Sequence, residues 1–326
     1  MKKTIALVTG GFSGEAVISY KSATTIDTHL DRDKYEVYKI DITPQGWFYE
    51  LNDGRRIAID KNDFTLQIDN KYVKFDAVFI GIHGTPGEDG KLQGYFDTLK
   101  IPYTSCDAAT SAITFNKRFT VAVAAMEGIA VANSVHLFKE MPVTGREILE
   151  KLQLPVFVKP NNGGSSIGMS KVSKEEELES AVTKAFLEDD QVLIEEMING
   201  KEYTVGVFKT KGDIIVLPIT EVISKKDFFD YEAKYEGAST EVTPARLSEE
   251  TAEALRAAAR KVYEIFNCRG VVRIDFICNN DDGKPYMLEV NTIPGQSEAS
   301  IVPQQVIAMG WTLKEFYTKL VEEAFG

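Results

Sequence analysis

Residues 271–291 read VVRIDFICNNDDGKPYMLEVN. Two apolar runs flank Asn279-Asn280-Asp281-Asp282-Gly283, a composition that predicts an antiparallel hairpin. Successive side chains of a strand point to opposite faces, so Val272, Ile274, Phe276 and Cys278 share one face and Arg273 and Asp275 the other. The same alternation sets Leu288 and Val290 against Glu289 and Asn291. One side of the hairpin thus collects an arginine, two carboxylates and an amide. Facing carboxylates repel, and a hard cation such as Mg²⁺ relieves the repulsion through oxygen ligation while leaving places for phosphate oxygens. A solvated face with a cross-strand Arg–Glu pair accounts for the same residues, so the rest of the chain must choose.

The chain of 326 residues is long enough for two or three domains, and 44% apolar content is that of a globular protein. Lys and Arg number 37 against 49 Asp and Glu, a net charge of -12, which excludes a nucleic-acid footprint or an anionic-membrane surface. An anionic ligand then needs local lysines or a metal. Three cysteines (Cys106, Cys268, Cys278) without CxxC spacing and only three histidines exclude a zinc cluster or disulfide framework. The apolar run Ile5–Val8 is too short for a signal peptide and reads as a first strand. No stretch reaches the length of a membrane span, and the expected location is the cytoplasm.

Outward from the hairpin, the first hundred residues alternate strand and helix signals: TIALVTG, a helix from about Gly14, EVYKID, and the continuous apolar run FDAVFIGIHG of a buried parallel strand. Leu92, Tyr95, Phe96 and Leu99 mark one face of the next helix. This is an α/β, doubly wound (Rossmann-like) pattern, interrupted at 46–73 by short strands of an insertion or edge hairpin. A single helix is expected from Asp107 through Ala125, closed by Gly128. LPVFVKP is a strand, Ser173 with Glu176 makes a capping box, and Leu178, Ala181, Val182, Ala185 and Phe186 form a helical stripe. Strands VLIEEM and EYTVGVF follow. Residues 224–244 carry neither period, and an aperiodic stretch of that length inside a domain reads as a functional loop, a lid. Helix 249–266, burying Leu255, Ala259, Val262 and Phe266, leads back to the hairpin.

Four stretches carry possible chemistry. FVKPNNGGSSIGMSKV (157–172) ends a strand on Lys159 and turns through Gly163, Gly164 and Gly168 around Ser165 and Ser166. Close backbone approach, hydroxyls and a lysine suit a phosphate, and a plain glycine hairpin is the alternative. Lys117 is a second phosphate candidate or a solvated helical lysine. Glu202, after the hinge IEEMINGK with Glu195 and Glu196, suits ribose hydroxyls or is an exposed carboxylate. HGTPGEDGKLQG (83–94) and GGFSGEAVIS (10–19) both sit at carboxyl ends of strands, where open α/β sheets bind ligands. There His83 either serves a ligand or satisfies loop backbone, and Glu15 either binds or caps a helix.

In this order the pieces resemble the D-alanine:D-alanine ligase family of ATP-grasp ligases over nearly the whole chain. GGFSGEAVIS is similar to its GGxSxExxxS, and HGTPGEDGKLQG to its HGxxGEDGxxQG. YTSCDAATSAITFNK, VKPNNGGSSIGMSKV, YEAKY, GVVRIDF, LEVNTIPG and the serine of SEASIVP complete the series. The resemblance implies a doubly wound substrate-side domain (1–105) followed by a two-part ATP-grasp α+β fold, a central part (106–190) with the Gly/Ser loop and a C-terminal part (191–326) with lid and metal site. It implies that Lys117, Lys159, Ser165 and Ser166 hold ATP phosphates, that Glu195 and Glu196 flank adenine, and that Glu202 binds ribose. Asp275, Glu289 and Asn291 would hold two Mg²⁺ (or Mn²⁺) ions. Glu15 would take the ammonium of the first D-alanine and connect through Ser165 to Tyr235. Lys234 would reach the transferred phosphoryl group and, with Ser300, the carboxylate of the second D-alanine. His83 would line the substrate site, and Arg273 and the Gly295 N–H would stabilise the oxyanion. The implied reaction is ATP-dependent ligation of two D-alanines through an acylphosphate for peptidoglycan precursors, by a homodimer. Joining D-alanine to D-lactate or D-serine, and a non-catalytic ATP sensor, are the rival readings. Val17 stands where the family often has a second acid, and PGQSEAS replaces the commoner PGMTxHS.

Overall fold

A computed structural model describes residues 2–141, 143–164, 167–224 and 239–326. The first unit contains β1 (Lys3–Gly10), α1 (Ala16–His29), β2 (Tyr35–Thr43), β3 (Gly46–Glu50), β4 (Arg56–Ala58), β5 (Leu66–Ile68), β6 (Lys71–Val73), β7 (Ala77–Ile80) and α2 (Lys91–Leu99). Its sheet has the order β4-β3-β2-β1-β7, with β2, β1 and β7 parallel. The apolar run of β1 is buried on both faces, as a parallel strand between two layers must be. Ile5 and Leu7 pack with Ala23 and Ile26 of α1. Ala6 and Val8 pack with Leu92 and Phe96 of α2 and with Phe64. The 46–73 segment resolves into two parts. β3 and β4 extend the sheet edge in antiparallel register, and the β5–β6 hairpin contributes Leu66 and Val73 to the second core layer.

The expected single helix after Asp107 is two helices, α3 (Ala108–Phe115) and α4 (Lys117–Met126). Asn116 leaves helical geometry (φ -91°, ψ 103°) and its side-chain oxygen accepts the Phe119 N–H at 3.2 Å. An Asn offering this cap competes successfully with helix continuation, and it places Lys117 at a helix start. Gly128 (φ 74°) closes α4 as expected, its N–H reaching Ala125 O and that of Ile129 reaching Ala124 O.

β8 (Ser134–Phe138), α5 (Gly145–Leu149), β9 (Val156–Pro160), β10 (Ser170–Val172), α6 (Leu178–Ala185) and β11 (Gln191–Glu196) form the central unit. Its antiparallel sheet runs β10-β9-β11-β8. It therefore extends through Glu196, beyond the expected end at 190, because β11 pairs with β9 and β8 and only afterwards does the chain change sheets. The stripe of Leu178, Ala181 and Ala185 packs on it. The cap before α6 uses Glu177 rather than Glu176: a 3-10 turn (Glu175–Glu177) intervenes, and Glu177 Oε2 accepts the Ser173 and Lys174 N–H groups at 2.9 and 3.2 Å.

The third unit holds β12 (Gly200–Thr210), β13 (Asp213–Val216), β14 (Thr220–Ser224), β15 (Ser239–Val242), α7 (Glu249–Ile265), β16 (Val271–Asn279), β17 (Pro285–Asn291), α8 (Ile301–Ala308) and α9 (Leu313–Ala324). Its sheet runs β15-β14-β12-β16-β17, with β13 also on β12. Part of the aperiodic 224–244 stretch is thus strand, since β15 pairs with β14. Residues 225–238, with Lys234 and Tyr235, lie outside the described residues, as do Ser165 and Ser166. Leu255, Ala259 and Val262 of α7 pack on Val205, Val207, Val272, Ile274 and Phe276, together with Ala124 and Ile129. The helices after Asp107 therefore belong by packing to this core and not to the central sheet. Burial of that kind stabilises by about 1.5–3 kcal/mol per large side chain.

Candidate active site

The opening hairpin forms, with β16 antiparallel to β17 and to β12. Val272, Ile274, Phe276 and Cys278 enter the core as the alternation requires. On β17 the alternation fails at one point. Asp275 pairs with Glu289 but Phe276 pairs with Met287, leaving Leu288 as a bulged residue. Met287 and Val290 are the core side chains, whereas Leu288 and Glu289 both border the cavity, correcting the expected pairing of Leu288 with Val290.

On the polar face, Arg273 Nε and Nη2 donate to Asp275 Oδ1 and Oδ2 at 2.9 and 2.8 Å. Thr204, opposite on β12, donates its hydroxyl to Asp275 Oδ1. Asn291 Nδ2 lies 3.1 Å from Asp275 Oδ2 and 3.5 Å from Glu289 Oε1, so three oxygen-bearing side chains converge. A cation between the carboxylates would draw the amide oxygen instead. Among the described residues no group of three His, Cys, Asp or Glu could hold a metal. The donor set here is two carboxylates and an amide, hard oxygens that fit Mg²⁺. Burial alone would lower the Arg273 pKa, but Asp275, Glu289 and Glu88 outweigh it and hold the guanidinium above its ordinary value.

Two cavities meet at this face. The larger, of about 650 Å³, lies between the central and third sheets and is lined by Lys117, Lys159, Gly163, Gly164, Glu195, Glu196, Glu202, Asp275 and Glu289. Lys117 Nζ reaches Gly163 O at 2.6 Å, so the helix-start lysine and the glycine loop face one space. Lys159 Nζ is ion-paired with Glu195 across β9 and β11. Glu196 Oε1 accepts the Gln153 N–H at 2.7 Å and Oε2 the Asn133 amide at 2.8 Å, which ties down the hinge into β12.

The second cavity, of about 380 Å³, is lined by Glu15, His83, Glu202, Arg273, Asp275, Glu289, Gly295 and Ser300 among others. Glu15 precedes α1 and sits between two loops. A Cβ on Gly84 would lie 2.6 Å from its Oε2, and one on Gly164 2.7 Å from its Oε1, so the carboxylate packs against both loop backbones, and Gly84, at φ 66°, is the position whose backbone favours glycine. Gly295 packs against Ser300, a Cβ there falling 2.8 Å from Ser300 Oγ, which itself bonds Ser297 Oγ at 2.7 Å. His83 is buried, its Nε2 lies 2.9 Å from Ser22 Oγ, and burial pushes its pKa down to about 4. It is neutral at pH 7.

Glu88, not among the candidate site residues read from the sequence, proves central. Its Oε2 accepts the Gly84 N–H at 2.7 Å and its Oε1 the Ile293 N–H at 3.3 Å. Burial and then the neighbouring Glu15 push its pKa up to about 8. The signal available in the sequence was the acidic pair of the GED stretch at the carboxyl end of a strand. Thr204, Leu288 and Gln296 were also missed, and none carries a local pattern.

An open α/β sheet followed by two sheets that close on a cavity, with lysines on one wall and a carboxylate face on the other, defines an ATP-grasp, ATP-dependent ligase. Residues 4–106 match the model for the D-ala D-ala ligase N-terminus and 116–322 that for the D-ala D-ala ligase C-terminus. The chain belongs to the D-alanine–D-alanine ligase family. It is 45% identical to the D-alanine--D-alanine ligase of Phocaeicola vulgatus over 325 residues, covering 100% of both chains. To that of Flavobacterium johnsoniae it is 45% identical over 98% of each. Among solved structures it resembles D-alanyl-alanine synthetase A from Vibrio cholerae (TM-score 0.89, 30% identity, 100% of this chain and 99% of that one). It resembles equally the VanG D-Ala:D-Ser ligase from Enterococcus faecalis (0.89, 29%, 99% and 100%). A D-alanine--D-alanine ligase from Bacillus anthracis complexed with ATP is also similar (0.79, 29%, 99% and 97%).

Proposed function

We propose that the protein joins two D-alanine molecules into D-alanyl-D-alanine with conversion of ATP to ADP and phosphate, supplying peptidoglycan precursors in the cytoplasm. The observation that carries this reading is that Glu202, Asp275 and Glu289 border both cavities, so a nucleotide in the larger presents its terminal phosphate to a substrate in the smaller. Lys117 and Lys159 neutralise phosphate charge, and Glu202 takes the ribose. Asp275, Glu289 and Asn291 would hold Mg²⁺, which supplies charge neutralisation to the transferring phosphoryl group.

The Glu15 carboxylate receives the ammonium of the first D-alanine. That substrate's carboxylate oxygen attacks the γ-phosphorus, the bond to the β-bridging oxygen breaks, and ADP leaves an acylphosphate. The amine of the second D-alanine, its carboxylate held at Ser300, adds to the acyl carbon, and collapse expels phosphate. Two of the five Arg273 N–H groups are engaged by Asp275, so others remain to meet the developing oxyanion together with the Gly295 N–H. Ser165, Ser166, Lys234 and Tyr235 complete the phosphate and substrate contacts in this reading, in a homodimer divided into a substrate-side domain and a two-part ATP-grasp unit. The likeness to a D-Ala:D-Ser ligase makes the second substrate the point to test. ADP release is measured with MgATP and D-alanine, and products formed with D-alanine, D-serine and D-lactate in competition are identified by mass. D-Alanyl-D-alanine is expected to dominate. Absence of D-alanine-dependent ADP release defeats the reading.

A further inference from the structure

The segment Ile293–Gln296 carries Gly295, yet it belongs to no helix or strand. Its hold comes from a closed ring of buried polar groups. Ser22, fully buried on α1, accepts the Gln296 N–H at 3.0 Å and lies 2.9 Å from His83 Nε2. The Ile293 N–H meets Glu88 Oε1 at 3.3 Å, and the His83 backbone N–H rests on Ser19 Oγ at 3.0 Å. The buried Ser22 hydroxyl has no acceptor other than His83 Nε2 among the described residues, so its hydrogen goes there and Nδ1 carries the ring hydrogen. In a neutral imidazole Nε2 is then an acceptor, and Ser22 must donate to it. The serine hydroxyl is used in both senses, as acceptor from Gln296 and donor to His83. Between the two anchored ends of the segment, the Gly295 N–H has no acceptor among the described residues and borders the substrate cavity.

We propose that Ser22 is a positioning residue. By selecting the Nδ1–H tautomer of His83 and pinning Gln296, it holds the Gly295 N–H where the oxyanion of the second step develops. Ser22 touches no substrate and does not line the cavity, and its effect travels entirely through His83 and Gln296. This rests on the ligase reading above for its catalytic consequence, but not for the hydrogen-bond ring itself.

The first test is independent of turnover. With only three histidines in the chain, ¹⁵N chemical shifts of the ring nitrogens assign the His83 tautomer in the free protein. The Nδ1–H form is expected in the wild type and a tautomer mixture in Ser22→Ala, and an Nε2–H wild type overturns the proposal. The second test compares ADP with dipeptide. A misplaced donor slows amine addition while phosphoryl transfer continues, so Ser22→Ala is expected to lower kcat for dipeptide by about 10- to 100-fold, with KM for ATP unchanged. ADP should then exceed dipeptide as acylphosphate is lost to water, and Ser22→Thr, which retains the hydroxyl, should return the ratio toward one. A purely structural serine would lower Tm and active fraction and leave ADP and dipeptide equal, and that result refutes the proposal. If the wild type makes no dipeptide, the ligase reading fails and the tautomer measurement still decides the ring.

Discussion

Replacing Asp275 with alanine tests the electrostatic construction of the shared face most directly. Asp275 is 6% exposed, and both its oxygens hold the Arg273 fork. Removing one partner of a buried pair leaves an uncompensated charge and costs about 3–5 kcal/mol. Glu289 Oε1 lies 3.9 Å from Arg273 Nη2 and takes up part of that charge, which puts the expected loss at the lower end, about 3 kcal/mol. At roughly 2 °C per kcal/mol for a chain of this size, the thermal midpoint falls by roughly 6 °C. Removing both charges with Arg273→Met/Asp275→Leu eliminates the orphan, so most of the loss returns even though ligase activity does not. The assay is thermal unfolding by circular dichroism without nucleotide, beside titration calorimetry with MgATP. An Asp275→Ala midpoint within about 2 °C of wild type, or a double variant no more stable than the single one, refutes the account of Arg273 and Asp275 as one unit.

Four further outcomes follow from named contacts. Lys159→Met removes a charge-assisted phosphate contact and strands Glu195, so calorimetry is expected to show MgATP binding weakened about 10- to 100-fold. His83 has its pKa pushed down to about 4 from 6.5, so the unfolded chain binds the extra proton between those values. The stability it contributes is complete above pH 6.5 and is lost as pH falls toward 4, about 3 kcal/mol in all, and the difference in unfolding free energy between wild type and His83→Gln should follow that curve. Glu88, raised from 4.5 to about 8, behaves oppositely: its contribution is present below pH 4.5 and lost as pH rises through 8, a slope that Glu88→Gln removes. Gly270 has φ 61°, and a Cβ there would lie 2.0 Å from Thr104 O. Gly270→Ala is therefore expected to destabilise by more than about 1 kcal/mol, read by denaturant unfolding.

Local periodicity was sufficient for the α/β order, the core faces of α2, α6, α7 and β16, and the grouping of Arg273 with Asp275, because each depends on side-chain spacing within one element. Motif residues dispersed along the chain, from Glu15 to Ser300, were legible only through resemblance, since no spacing rule links them. Tertiary structure decided what depends on backbone meeting backbone. The bulge that turns Leu288 toward the cavity arises from the register of β17 on β16. The break at Asn116 is won by a side-chain cap that competes with helical hydrogen bonds. The proton demand on Glu88 comes from burial beside Glu15, 73 residues away in the chain. Sequence spacing specifies which residue types share a face; the distances that make two carboxylates, a guanidinium and an orphan amide act together are set only when three sheets close on one another.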